Sequence, residues 1–373
     1  MEWLKVGLDI DGEAAGDESG YSVSLSADGT RVAIGAANND GNGSSDAGHV
    51  RIYELTNDDW VQMGSDINGE AGGNYSGYSV SLSADGTRVA IGAPANRSVA
   101  GHVRIYDYDF SSSDWVQMGS DIDGEAISDE SGYSVSLSAD GTRVAIGARG
   151  NGSSNAGHVR IYDFSSSAWV QMGSDIDGEA ATDYSGWSVS LSEYGTRVAI
   201  GAIGNDGTGS DAGHVRIYEL TNDDWVQMGS DIDGEAATDE SGISVSLSAD
   251  GTRVAIGATY NDPTINGNIA NNAGHVRIYK FSNGAWSKMG DDIDGEAASN
   301  RSGVSVSLSP DGTRVAIGTP FNDGTTGTNT DNRGSVRVYE FVNTLPSPTH
   351  KTELSLEKNV NGVWQLKANT TPL

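Results

Sequence analysis

The chain has 373 residues, no cysteine, and 52 acids against 22 bases, for a formal net charge of -30. That balance excludes nucleic acid and anionic lipid as partners, and the missing cysteines exclude disulfides, thiolate metal sites and cysteine nucleophiles. No run of 18 apolar residues exists, so membrane insertion is excluded as well, while 36 % hydrophobic residues suffice for a packed core.

Met1-Glu2-Trp3 carries no basic start and leads into no apolar run, so the chain as given opens without a signal peptide. Trp3 to Ile10 reads as a strand that closes a unit whose other strands are missing before it, as a fragment of a longer protein would. The string SGYSVSLSADGTRVAIGA then begins at Ser19 and recurs with small changes at Ser76, Ser131, Ser185, Ser241 and Ser302. A repeat of this length governs the fold. Each unit reads as four short strands, in the first unit Ser22 to Ser26, Arg31 to Ala36, His49 to Leu55 and Trp60 to Ile67. They are rich in Val, Ile, Tyr and Trp and bounded by Gly, Asp, Asn and Ser. Ala27-Asp28-Gly29-Thr30 is a hairpin signal between the first two.

In the first two strands Ser22, Ser24, Ser26, Arg31, Ala33 and Gly35 alternate with Val23, Leu25, Val32 and Ile34. A half-solvated sheet would show long polar side chains on its second face. Serine, alanine and glycine there imply a neighbouring sheet at close range. Four-stranded sheets packed face to face around an axis make a β-propeller. The expected fold is therefore all-β, six blades of four antiparallel strands, closed by the N-terminal strand; a seven-bladed or incomplete ring from a longer protein is the alternative. Residues 1–342 form the propeller on this reading, 343–351 a linker with Pro346 and Pro348, and 352–373 a hairpin or tail around Asn361-Gly362.

These residues resemble the FG-GAP repeat, the blade unit of integrin alpha-chain propellers, and especially its bacterial relatives. The resemblance covers residues 3 to 341. It rests on the glycine of SG-x-SV at Gly20, Gly77, Gly132, Gly186, Gly242 and Gly303, on Gly92-Ala93-Pro94 and Gly318-Thr319-Pro320, on the GHVRIY strand and on the tryptophan after it. The family's Phe before Gly is Ser in all six units. Integrin-type repeats often carry a calcium loop between the first two strands; here that place holds only SADGT, SEYGT or SPDGT, so calcium is not carried over there. The resemblance implies an adhesive or recognition role outside cells and names no ligand.

Read from the residues themselves, calcium fits better in the loop that follows the fourth strand. Oxygen side chains stand at its positions 1, 3, 5 and 9: Asp9, Asp11, Glu13 and Asp17, then Asp121, Asp123, Glu125 and Asp129. The same holds for Asp175, Asp177, Glu179 and Asp183, and for Asp231, Asp233, Glu235 and Asp239. Alternating hard oxygens suit Ca²⁺, and the same residues suit turn capping. No cofactor is required, and Ca²⁺ is the one the spacing allows.

The loops between second and third strands vary most in length, from seven residues (Pro94 to Ala100) to fifteen (Thr259 to Ala273). They offer a recognition surface at Asn39, Asp40, Asn96, Asn151, Asn205, Asp206, Asn261, Asp262, Asn322 and Asp323, or ordinary turn chemistry. Tyr21, Tyr78, Tyr133 and Trp187 follow the SG pairs and fall at one mouth of the axis, where aromatics can stack on a sugar or peptide or simply fill the ring. His49, His102, His158, His214 and His275 stand too far apart, blade to blade, for a shared metal and read as strand-edge hydrogen bonders. The arginines Arg31, Arg88, Arg143, Arg197, Arg253 and Arg314, each just after a turn acid, read as one ion pair per blade.

No one-off catalytic set interrupts the repeats, so the chain reads as a non-enzymatic binding or adhesion module, secreted or at the cell surface. Its partner is a protein or glycan met by an acidic loop face. Six eleven-residue stretches after the fourth strands hold 24 of the 52 acids, which favours a cationic partner. A structural module of a larger surface or virion protein is the second reading, and a glycan-active hydrolase or lyase the third.

Overall fold

A computed structural model describes residues 6–95, 100–265, 267–322 and 334–342, and the strands 350–358 and 364–372. The chain divides into two units, Met1–Tyr339 and Glu340–Leu373. The first is an all-β, six-bladed antiparallel propeller. Its first blade runs Ser22–Leu25, Arg31–Ala36, His49–Thr56 and Asp59–Gln62, with Ile67–Asn68 returning to the third strand. Four further blades repeat this order, and the sixth shows three strands, Ser305–Leu308, Arg314–Thr319 and Ser335–Glu340. The second unit is an antiparallel pair, His350–Lys358 with Trp364–Pro372.

The expected outer strand, Trp60 to Ile67, is broken. Gly64 sits at φ +69°, a left-handed conformation that glycine takes without strain. The break turns the Met63 carbonyl outward, where it accepts a hydrogen bond from the Trp115 indole of the next blade at 2.7 Å. Trp169, Trp225 and Trp286 bond Met118, Met172 and Met228 in the same way.

The first strands of consecutive blades neighbour one another, which makes them the innermost. Ser22 donates its hydroxyl to the Gly77 carbonyl of the next blade, and the Leu82 N–H donates to Ser24. The small face exists for this approach: a Cβ at Gly35 would collide with the Gly77 carbonyl oxygen. The core lies between blades rather than within them. Ala33, Val50, Ile52, Met63 and Ile67 of the first blade pack on Leu82, Val89, Ile91, Tyr106 and Trp115 of the second.

Five of the six hairpins between first and second strands are tied by their own aspartate; the fourth carries Tyr194 in its place. Asp28 accepts from the Thr30 N–H, the Thr30 hydroxyl and the Ser26 hydroxyl, and these bonds, the backbone one foremost, lower its carboxyl to about 2. In the first four blades the arginine after the turn finds another partner. It reaches across the ladder to the third strand: Arg31 to Glu54 at 2.7 Å, Arg88 to Asp107 and Arg143 to Asp163 at 3.1 Å, Arg197 to Glu219 at 2.6 Å. Register, not sequence proximity, chooses the partner, since Arg31 and Glu54 are direct cross-strand neighbours.

Of the strand expected to close the ring, residues 1–5 lie outside the described residues. Its continuation keeps its place against the first blade: Val6 accepts from the Trp60 indole at 3.1 Å, as Met63 does from Trp115. The two flanks of the seam are unpacked. Leu25 is 61 % exposed where Leu137 is 7 %, and Val336 is 71 % exposed where Val159 is 0 %.

Candidate functional site

The aromatic residues after the SG pairs meet at the inner end of the blades. Ring centroids of Tyr21 and Tyr78 lie 4.9 Å apart, those of Tyr78 and Tyr133 5.0 Å, and those of Tyr133 and Trp187 5.0 Å. Burial, then the neighbouring Tyr78 hydroxyl, raises the Tyr21 pKa well above its ordinary value. Burial, then donation to Tyr133, pushes the Tyr78 hydroxyl up to about 12, so it stays a donor at any physiological pH.

The position after the second strand varies from unit to unit, and one unit places a cation there. The residue after RVAIGA or RVAIGT is Ala37, Pro94, Ile203, Thr259 or Pro320 in five units and Arg149 in the third. The Arg149 guanidinium lies 3.8 Å from the Tyr133 ring centre and 4.5 Å from that of Trp187, and bonds Glu130 at 2.6 Å. A cation on aromatic faces and a carboxylate at once is held in one orientation. Beside it opens a cavity of about 350 Å³, lined by Tyr21, Tyr78, Tyr133, Arg149, Glu18 and Glu130 among others. The sequence pointed to the aromatic row but not to Arg149, Glu130 or Glu18, whose positions vary from unit to unit. Across the mouth Arg301 lies over Tyr260 and Phe321 at 4.8 and 4.9 Å. Glu240 is held above its usual range by burial, with Asp211 adding to the effect and Arg301 opposing it.

The four oxygen positions of each acidic loop go separate ways. Position 9 caps its own loop: Asp17 accepts from the Ala14 N–H, Asp129 from Glu125 and Ala126, Asp183 from Glu179 and Ala180, and Asp239 from Ala236. Position 3 offers its backbone carbonyl to a buried arginine, Asp11 to Arg51, Asp123 to Arg160, Asp177 to Arg216 and Asp233 to Arg277. Positions 1 and 5 turn to the histidines of successive blades, so that Asp121 sits by His102 while Glu125 sits by His158. Among the described residues no three of the four carboxylates in one loop come within ligand distance of one another. The histidines are thus not simple strand-edge donors. Each is almost wholly buried, and burial, then the neighbouring arginine, lowers the ring's pKa, to about 4 for His275.

The variable-loop residues are mostly spent on the loops. Asn39, Asn205 and Asn261 are buried and donate to Asp17, Asp183 and Asp239. Asp40, Asp206 and Asp262 accept backbone N–H groups of Asp46, Asp211 and Asn272. The Asn151 carbonyl accepts from Gly157, and Asn322 donates to Glu296. Asn96 and Asp323 lie outside the described residues.

The FG-GAP repeat family model matches residues 176–218, which span the acidic loop and first three strands of the fourth blade. That repeat is thus similar to the FG-GAP repeat, and the other blades of the propeller carry the same sequence pattern. No match is found among proteins with curated functions. Solved structures similar to this propeller include a candidate 6-phosphogluconolactonase from Bacteroides uniformis, with a TM-score of 0.57 at 11 % identity over 95 % of this chain and 85 % of that one. Hydrazine synthase of Kuenenia stuttgartiensis reaches 0.51 at 14 % identity, over 86 % of this chain and 78 % of that one. A candidate 6-phosphogluconolactonase from Bacteroides fragilis reaches 0.51 at 10 % identity, over 95 % and 84 %. At such identities the likeness is one of fold alone. No helix among the described residues is long and apolar enough to cross a membrane.

Proposed function

We propose that this propeller is a non-enzymatic binding module, working outside the cell or at its surface, that takes a protein or glycan segment at the aromatic mouth of its first three blades. The observation that carries the reading is Arg149: a cation fixed between aromatic rings and Glu130 on the wall of the cavity. A single ligand needs a single site, and a site on a repeat must break it. The tyrosine and tryptophan faces supply flat stacking surface at low entropic cost. Glu18 and Glu130 on the cavity wall supply acceptors for hydroxyl or ammonium groups. The acidic loops are hydrogen-bonded to the variable loops, as in Gly73 to Ser45 and Thr238 to Ser210, and surround this end with negative charge that draws a basic partner. The enzyme names of the fold neighbours come with 10–14 % identity.

The test is a glycan and surface-protein array probed with the full chain and with Arg149→Ala. A ligand retained by the wild type and lost by the variant supports the reading; equal signals from both, or none from either, refute it. A second reading, a structural module, is favoured by the two apolar seam flanks around Leu25 and Val336, and predicts self-association at micromolar concentration in sedimentation experiments.

A further inference from the structure

Five times the fold brings a histidine, a glutamate and an aspartate to one point. The clusters are Glu13–His49–Asp66, Glu70–His102–Asp121, Glu125–His158–Asp175, Glu179–His214–Asp231 and Glu235–His275–Asp292, with ligand atoms within 4.8 Å of one another in each. The histidine opens the third strand of a blade. The aspartate follows the outer strand of that blade, and the glutamate comes from the loop that enters it. Three separate segments therefore converge, and they do so only once the blade is folded.

The third and fourth blades show the geometry in detail. His158 Nδ1 lies 3.9 Å from Glu125 Oε2 and 3.7 Å from Asp175 Oδ2. Both gaps are too long for a hydrogen bond. The far oxygen of Asp175 accepts from Gln171 at 2.5 Å, and Arg160 stands 3.6 Å from the far oxygen of Glu125. Each carboxylate is thus held by one oxygen and presents the other to the imidazole. In the fourth blade His214 is 1 % exposed and neither ring nitrogen has a hydrogen-bond partner, although Nδ1 faces Glu179 Oε2 at 3.9 Å. Asp231 is gripped by Gln227 at 2.6 Å and Glu179 lies 3.6 Å from Arg216. A buried imidazole without a partner carries a desolvation cost that native proteins rarely leave unmet.

We propose that each Glu–His–Asp cluster binds a divalent cation of the zinc type through the histidine Nδ1 and one oxygen from each carboxylate. An ion about 2.0–2.2 Å from each ligand atom holds those atoms roughly 3.0–3.5 Å apart. The observed 3.7–3.9 Å gaps close to that by a small swing of the carboxylates, which are partly exposed. An imidazole nitrogen in the set selects zinc-type ions over Ca²⁺ and Mg²⁺, which prefer oxygen alone. Three protein ligands leave a fourth position to water. The bound ion ties the entering loop to the third strand and the outer edge of the same blade.

The repeat grades the sites. In the fifth blade Lys288 replaces the glutamine and donates to Asp292 at 2.8 Å, so a built-in ammonium competes with the metal. In the sixth, Ser335 stands where the histidine would be.

Metal-stripped full chain is titrated calorimetrically with Zn²⁺ and, separately, with Ca²⁺, and compared with a Glu179→Gln/Asp231→Asn double variant. That variant keeps side-chain shape and the buried histidine, and circular dichroism checks its fold. The expected result is four strong Zn²⁺ equivalents and a weaker fifth, falling to three strong in the variant, with no matching Ca²⁺ uptake. No Zn²⁺ uptake by the folded wild type overturns the proposal. So does equal uptake by wild type and variant, which is what loose binding to the acidic surface gives.

Discussion

The interface between the second and third blades and the seam between the sixth and first are built from nearly the same residues and differ almost completely in burial. Leu137 of the third blade is 7 % exposed against its neighbour, and Leu25 of the first, in the same register of the same SVSL strand, is 61 % exposed. Val103 of the second blade is 0 % exposed and Val336 of the sixth 71 %. A blade's own sequence thus prepares a face, and the next blade decides whether that face becomes core. In a repeat protein most stability resides in these nearest-neighbour contacts.

The comparison can be broken most severely by paired truncation. Leu137→Ala should cost about 2–5 kcal/mol, whereas Leu25→Ala should stay within about 0.5 kcal/mol; urea unfolding of both variants measures the difference. Similar losses would mean that the seam is packed in solution. Next in size, Trp115→Phe removes the bond to the Met63 carbonyl inside a packed interface and should cost about 1 kcal/mol. Trp60→Phe removes the exposed bond to Val6 and should cost less, as a thermal melt of each would show. The smallest effect lies in the fifth blade, where Arg253 faces Lys280 rather than an acid. Lys280→Glu restores the pair found in the first four blades and should add about 0.2–1 kcal/mol, an increment that disappears in high salt.

Much of the fold was legible because the repeat states it six times. Strand edges such as Arg31–Ala36 and the hairpin at Asp28 follow from alternation and turn chemistry alone. The row Tyr21, Tyr78, Tyr133, Trp187 was legible for the same reason, since equivalent positions of neighbouring blades must be adjacent. The rest needed relations between units. The break at Gly64 serves Trp115, a residue of the next repeat. The partner of Arg31 is set by strand register, which places Glu54 opposite and leaves Asp28 to its turn. The histidine clusters join positions 1 and 5 of successive loops, so reading each loop by itself hid them. The exposure of Leu25 could not be read at all, because its sequence is that of a buried residue.

The central claim is that one asymmetric site sits on this symmetric frame. It is tested most directly by replacing, one at a time, the six equivalent mouth residues Tyr21, Tyr78, Tyr133, Trp187, Ile243 and Val304 with alanine and measuring the affinity of each variant for an array-selected ligand. Loss of tenfold or more confined to the cavity-lining Tyr21, Tyr78 and Tyr133, with Ile243→Ala and Val304→Ala unchanged, is the predicted result. Equal losses at all six positions, or none at any, would contradict it.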